Sequence, residues 1–252
     1  MQFASLGSGS KGNATLVRAG DTLVMIDCGF SLRETERRLV AMAVSAQDLD
    51  AILVTHEHSD HASGVARLSR KYAIPVYMTH GTHATGRCDD CHEIRRFNCD
   101  DHFGIGELQV QGVAVPHDAR EPCQYRLEAN GRRLGVLTDL GSVTPHVVAS
   151  FSDCHGLLLE FNHDLDMLMD GEYPPHLKQR VAGDWGHLNN RQSAQLLQSL
   201  DHPGLRHIVV AHISEKNNSL SQAEQALLDV MDSLERVVFA AQSSGFSWLD
   251  IA

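Results

Sequence analysis

Seven consecutive residues, Thr55-His56-Glu57-His58-Ser59-Asp60-His61, carry three imidazoles and two carboxylates directly after the apolar stretch Ala51-Ile52-Leu53-Val54. Ending a strand in such a crowd is costly, because titratable groups taken from water without partners lose solvation free energy. Metal ions supply the partners. An extended chain alternates its side chains, so His56 and His58 leave the strand end on the same side and can grip one cation. Asp60 and His61 then turn toward a second. Imidazole is a favoured ligand of zinc, iron and manganese-type ions, and a carboxylate beside it serves as ligand or as proton acceptor. With 16 histidines in the chain some clustering could arise by accident, but this concentration at one strand end points to a two-metal hydrolytic centre.

A chain of 252 residues with 42% apolar side chains can bury a proper core. It has no Pro- or Ser-rich linker, and one domain over residues 1–252 is expected. No apolar run approaches a membrane span, and the first residues lack the basic start and long apolar region of a signal peptide, so a cytoplasmic location is expected. Apolar runs between turn signals predict strands at 22–27, 51–55, 108–115, 133–138, 156–160, 207–211 and 236–240. Asn130-Gly131, between 123–129 and 132–138, predicts a hairpin because both residues tolerate positive φ. Helical spacing occurs at 32–42, 63–72, 191–200 and 222–234. Strands from both ends of the chain mixed with helices predict a single sandwich of sheets flanked by helices.

Three features admit two readings each. Gly7-Ser8-Gly9-Ser10-Lys11-Gly12-Asn13 offers backbone amides to an anion or is a plain hairpin loop, and it lacks the ending of a P-loop. The six cysteines are expected to be thiols rather than bridges. Cys88, Cys91 and Cys99, with His92 and His102, form either a small structural zinc site or a solvated polar loop. The net charge of -11 argues against a general nucleic-acid coat protein. It does not exclude a nuclease, because divalent cations and pairs such as Arg37-Arg38, Arg95-Arg96 and Arg132-Arg133 could offset it locally.

The run His56, His58, Asp60, His61 resembles the hallmark of the metallo-β-lactamase superfamily. His117 in Val115-Pro116-His117-Asp118 looks like that family's next ligand, and Asp139 in Leu137-Thr138-Asp139-Leu140-Gly141 like its bridging aspartate. Asp27 resembles the early aspartate, bracing the ligand loop rather than binding metal. The resemblance implies a four-layer αββα sandwich with the metals at one edge. The segments around Glu160, His187 and His212 are similar to the three late motifs of the superfamily's nuclease branches, ribonuclease Z and the β-CASP enzymes among them. Only a hairpin fits between His117 and Asp139, and the stretch from Glu160 to His187 is too short for a β-CASP cap. What remains resembles the compact YycJ-like (WalJ-type) group, which is associated with 5′-to-3′ DNA exonuclease activity.

By that resemblance His56, His58 and His117 hold one metal, Asp60, His61 and His212 the other, and Asp139 bridges both. The pair activates a shared hydroxide that Asp60 also orients, while His187 paired with Glu160 protonates the leaving alkoxide. Asn162, His163, Asn189 and Ser214 are candidate substrate contacts. Zinc is the default ion, with manganese or iron compatible, and the expected substrate is nucleic acid, DNA foremost. Two rivals stay open. One is a small-molecule hydrolase acting on cyclic phosphodiesters, lactones or thioesters; the other is a non-catalytic metal-binding regulatory protein. A β-lactamase proper fits poorly with a bridging Asp139. His80, His83, His92, His102, His146, His155, His176, His202 and His207 fall in polar stretches and are read as exposed or locally hydrogen-bonded.

Overall fold

Period-two alternation of apolar side chains assigns each strand residue to one of two cores. In the computed structural model, which describes residues 1–252, the strands are β1 (Gln2–Gly7), β2 (Ala14–Ala19), β3 (Thr22–Ile26), β4 (Ala51–Leu53), β5 (Pro75–Thr79) and β6 (Glu93–Phe97). They continue as β7 (His102–Ile105), β8 (Leu108–Ala114), β9 (Cys123–Ala129), β10 (Arg132–Leu137), β11 (Gly156–Glu160), β12 (His207–Ala211), β13 (Val237–Phe239) and β14 (Phe246–Asp250). Two seven-stranded sheets result, ordered β14-β1-β2-β3-β4-β5-β6 and β13-β12-β11-β10-β9-β8-β7. The chain therefore crosses from one sheet to the other once, then sends its last strand back.

The helices are α1 (Leu32–Ala41), α2 (Ser59–Ala62), α3 (Val65–Tyr72), α4 (His80–Ala84), α5 (Pro145–Phe151), α6 (Leu165–Asp170), α7 (Pro175–Val181), α8 (Asn190–Ser199) and α9 (Leu220–Leu228). Val24 and Ile26 of β3, Leu158 of β11 and Val209 of β12 point between the sheets. Their neighbours Leu23 and Met25 pack toward α1 and α3, while Leu157, Leu159, Ile208 and Val210 pack toward α5, α8 and α9. Three cores between four layers make the αββα sandwich that the motifs implied, with no inserted cap. Each fully buried Leu, Ile or Val contributes roughly 1.5–3 kcal/mol. No helix is long and apolar enough to cross a membrane.

The topology gathers the chemistry at one edge. β10, β11 and β12 are mutually parallel, and β8 runs the same way because two antiparallel steps through β9 restore direction. Their C-terminal ends lead into His117, Asp139, Glu160 and His212, and β4 of the other sheet leads into His56. Asn130 and Gly131 both adopt positive φ, 51° and 71°, in the β9–β10 hairpin.

Several expectations need adjustment. The 222–234 helix ends at Leu228. The strand expected over 51–55 ends at Leu53, while α2, beginning at Ser59, turns Asp60 and His61 away as the run implied. The structural zinc site is not assembled: Cys88 and Cys91 pack on the helix side of the first sheet, whereas Cys99 packs against the core between the sheets. All six cysteines are free thiols.

Candidate metal centre

Each ligand histidine is oriented through the ring nitrogen that faces away from the cluster. His117 Nδ1 lies 2.9 Å from the Gly186 carbonyl, which fixes Nδ1 as the protonated nitrogen and leaves Nε2 as a lone-pair donor. That Nε2 sits 3.3 Å from His58 Nδ1, while His58 Nε2 is 3.2 Å from the Asp118 carbonyl. His56 Nδ1 meets Thr55 Oγ1 at 3.0 Å. His61 Nδ1 meets Asp27 Oδ2 at 2.8 Å, and Asp27 also accepts from the Thr55 amide and hydroxyl, each at 2.8 Å. Asp27 thus braces the loop through three contacts and presents no free oxygen to a cation.

The donor atoms fall into overlapping groups whose members lie within 4.8 Å of one another: His56, His58 and His117; Asp60, His61 and His212; His56, His61 and Asp139; and Asp139, Glu160, His187 and His212. The structure brings together every residue proposed as a ligand, with Asp139 between the two sets of three. Asp139 Oδ2 lies 3.1 Å from His61 Nε2, and Asp139 Oδ1 lies 3.4 Å from His212 Nδ1. Buried polar atoms ordinarily have hydrogen-bond partners. Yet His56 Nε2 and His212 Nε2 are buried with none. These orphaned lone-pair positions inside an imidazole and carboxylate cluster fit divalent cations.

Glu160, the last residue of β11, is fully buried and saturated. Its Oε2 accepts from the Leu140 and Leu188 amides, each at 3.1 Å, and its Oε1 faces His187 Nδ1 at 2.8 Å and His212 Nδ1 at 3.1 Å. Burial opposes its charge, but the two imidazoles hold its carboxyl down at about 2. His187 responds in kind: burial works against its proton and the Glu160 charge more than compensates, raising it above the usual imidazole range. His212 is pushed up to about 10 against burial by Asp139, Asp60 and Glu160. His56, buried among other imidazoles, goes well below the ordinary value, and burial also lowers His117.

A cleft of about 420 Å³ opens over the cluster, lined by His58, Asp60, Asp139, His187 and His212 among others. Asn162 and Ser214 line it too, and Asn162 Nδ2 donates to the His212 carbonyl at 3.2 Å. The other two candidate substrate contacts lie elsewhere. Asn189 caps α8, its side chain accepting from the Gln192 amide in a reciprocal capping box. His163 is fully buried, and burial lowers it to about 4. Neither lines the cleft. None of the nine histidines read as bystanders is buried.

Sequence reasoning did not anticipate the Gly7-to-Asn13 loop as a brace. Ser8 Oγ accepts from the His212 amide at 2.9 Å, and Asn13 Nδ2 lies 3.1 Å from His61 Nε2. The Asn13 amide donates to the Asp60 carbonyl at 2.8 Å. Nor did it anticipate Arg87, Tyr173 and Arg180 as lining residues, or the Arg180 ion pair to Asp118. Only the glycine-rich composition of 7–13 hinted that this loop makes close backbone approaches.

Residues 22–213 match the family described as the beta-lactamase superfamily domain. The chain is 33% identical over 237 residues to the exodeoxyribonuclease YycJ of Bacillus anthracis, covering 92% of this chain and 89% of that protein. It is 31% identical to the exodeoxyribonuclease WalJ of Streptococcus pneumoniae, covering 90% and 87%. Among solved structures, the metallo-β-lactamase fold protein YhfI of Bacillus subtilis superposes with a TM-score of 0.76 at 16% identity over 99% of both chains. Fold, family match and a cation-ready cluster agree, and the chain belongs to the β-lactamase superfamily of metal-dependent hydrolases.

Proposed function

We propose that residues 1–252 act as one domain and cleave DNA from the 5′ end, with zinc as the resident ion and manganese or iron as alternatives. The observation that carries this reading is the seating of His187. Its Nδ1 is engaged by buried Glu160 at 2.8 Å, and the ring lines the cleft beside both ligand sets. A phosphodiester expels an alkoxide, a poor leaving group that needs a positioned acid, and a thioester, which expels a thiolate, does not make that demand so strongly. The names of the two bacterial relatives support the same class of substrate.

His56, His58 and His117 would hold one ion, Asp60, His61 and His212 the other, and Asp139 both; bound there, the pair supplies Lewis acidity to activate water and offset phosphoryl charge. Glu160 keeps the His187 ring oriented and protonated, because its charge favours the imidazolium. His187 Nε2 is then the atom that delivers a proton to the departing oxygen. Asp60, whose carboxyl is kept ionised despite burial by the His212 and His61 imidazoles 3.6 and 3.5 Å away, orients the attacking water. Asn162 and Ser214 offer hydrogen bonds to the bound strand.

Digestion of strands labelled at one end or the other tests the reading: shortening from the 5′ end is expected, and a ladder from the 3′ end or no shortening refutes it. His187→Ala should keep its metal and lose most turnover, whereas Asp139→Ala should lose metal as well. Equal metal loss in both would make His187 a ligand. The acidic net charge of -11 favours a small-molecule substrate instead, and hydrolysis of a lactone in preference to DNA would establish that rival.

A further inference from the structure

The cleft has one wall unlike the rest. Its apolar lining residues, Tyr173, Leu177 and Val181, stand four apart on one short segment, and every other lining residue is polar, charged or glycine. Leu177 and Val181 share a face of α7, and Tyr173 stands two residues before its first turn. That face would ordinarily be pressed into a core, yet α7 has no buried residue at all. The segment is nonetheless held firmly. Arg180 pairs with Asp118 in the ligand loop, and the Val181 carbonyl accepts from the His187 amide at 2.9 Å. Trp185, a further four residues along, is 62% exposed, directly before the cleft-lining Gly186 and His187.

Cations accompany the strip. The Lys216 ammonium sits 5.8 Å from the Tyr173 ring centroid. Arg180, 59% exposed at its side chain, also lines the cleft. In a chain of net charge -11, basic groups beside a half-buried tyrosine at the cleft wall mark a surface for a polyanion with flat apolar groups. Aromatic faces next to lysine and arginine are how proteins hold single-stranded nucleic acid without reading its sequence. The cleft volume of about 420 Å³ is at the small end of ligand pockets, roughly 300–1,000 Å³. A volume of that order accommodates about one terminal nucleotide.

From this juxtaposition we infer that the wall from Tyr173 to Val181 is a base-stacking subsite for the terminal nucleotide, with Tyr173 as its anchor. The inference rests on the nuclease reading above and adds a binding subsite to the same site. Tyr173 and Lys216 stack the base and neutralise the phosphate beside it, so they determine specificity and leave the chemistry to other groups.

The test is a binding cycle on metal-loaded protein, using a short fluorescent 5′-phosphorylated strand made resistant to cleavage by phosphorothioates. A second strand of the same length has abasic sugars at its 5′ end. Wild type should bind the base-bearing strand more tightly. Tyr173→Ala should weaken that strand roughly tenfold, as expected for losing one stacked base, and leave the abasic strand unchanged, while Tyr173→Trp restores the difference. Equal weakening of both strands by Tyr173→Ala, or equal binding of both by wild type, overturns the subsite. Unmodified strands are digested in parallel. Base-dependent binding without any shortening would leave the subsite standing and remove the nuclease reading alone.

Discussion

Gly29→Ala should remove one metal site and spare the other. Gly29 does not use a left-handed φ, so backbone freedom is not the reason for glycine here. The reason is proximity. A Cβ at this position would lie 1.8 Å from the Asp60 carbonyl oxygen and 2.4 Å from its carbon, whereas ordinary contact begins at 3.4 Å. The carbonyl must therefore retreat by about 1.6 Å, roughly three times the 0.5 Å within which a working constellation has to be held. It cannot do so freely. The Asn13 amide donates to that carbonyl at 2.8 Å, the Gly29 amide donates to the Asn13 carbonyl at 3.0 Å, and the Cys28 amide donates to the His61 carbonyl at 2.7 Å. The displacement falls on Asp60 and His61 within α2, while His56 follows β4 and His117 follows β8, and of that set only His58 adjoins the helix, as its N-cap. Overpacking of this kind costs about 1–3 kcal/mol, and for a chain of this size each kcal/mol lowers Tm by roughly 2–4 °C. The variant should stay folded, retain about one equivalent of metal after dialysis and lose turnover. Gly104→Ala is the control, since its nearest neighbour is the movable end of Gln109 at 3.4 Å. Metal counting by mass spectrometry beside a melting curve decides the matter. Two retained equivalents with full activity would refute the argument from proximity.

Asp27→Asn should lower metal affinity by about 10–100-fold, the usual effect of weakening a carboxylate behind a ligand histidine. Titration against a competing chelator measures it, and unchanged affinity would mean that Thr55 alone orients His61. In metal-free protein His212 is raised to about 10, so a proton must leave before a cation can bind. Metal affinity should accordingly climb as pH rises toward 10. The stability of the metal-free protein should move oppositely: the contribution from protonated His212 is complete below its unfolded value near 6.5 and is lost as pH rises through 10. Calorimetry in buffers of different ionisation enthalpy reports the released protons, and binding without proton release contradicts the assignment.

The parts of this molecule that could be read in advance are those coded locally. His56 to His61 is a contiguous run, the β9–β10 hairpin is written in Asn130-Gly131, and the strands of the second sheet are dense apolar runs. Asp139, Glu160, His187 and His212 became legible only through motif company, because single acidic residues and histidines carry no such signal by themselves. The edge strand β6, Glu-Ile-Arg-Arg-Phe, is mostly exposed and reads as a charged loop. Braces were hidden for another reason. Ser8 and His212 are 204 positions apart, and nothing in a serine announces that its hydroxyl will meet a distant amide. His163 and Asn189 misled because motif company was taken for exposure to substrate, when one fills the interior and the other starts a helix.

Three of the residues around the metal centre, Asp27, Asp139 and His212, have φ of 60°, 53° and 53°, each just past the end of β3, β10 or β12. Such conformations cost L residues about 1–3 kcal/mol apiece, and aspartate and histidine are among the few side chains that tolerate them. The tension bears on the protein's evolutionary future. A descendant released from catalysis has no further use for the strain, and glycine relieves it, but at Asp27 glycine would also strand the Thr55 and His61 donors, so Asp139 and His212 should drift before Asp27 in any copy that has lost its activity. Glycine at positions 139 and 212 with Asp27 retained would make a decayed copy recognisable before any assay.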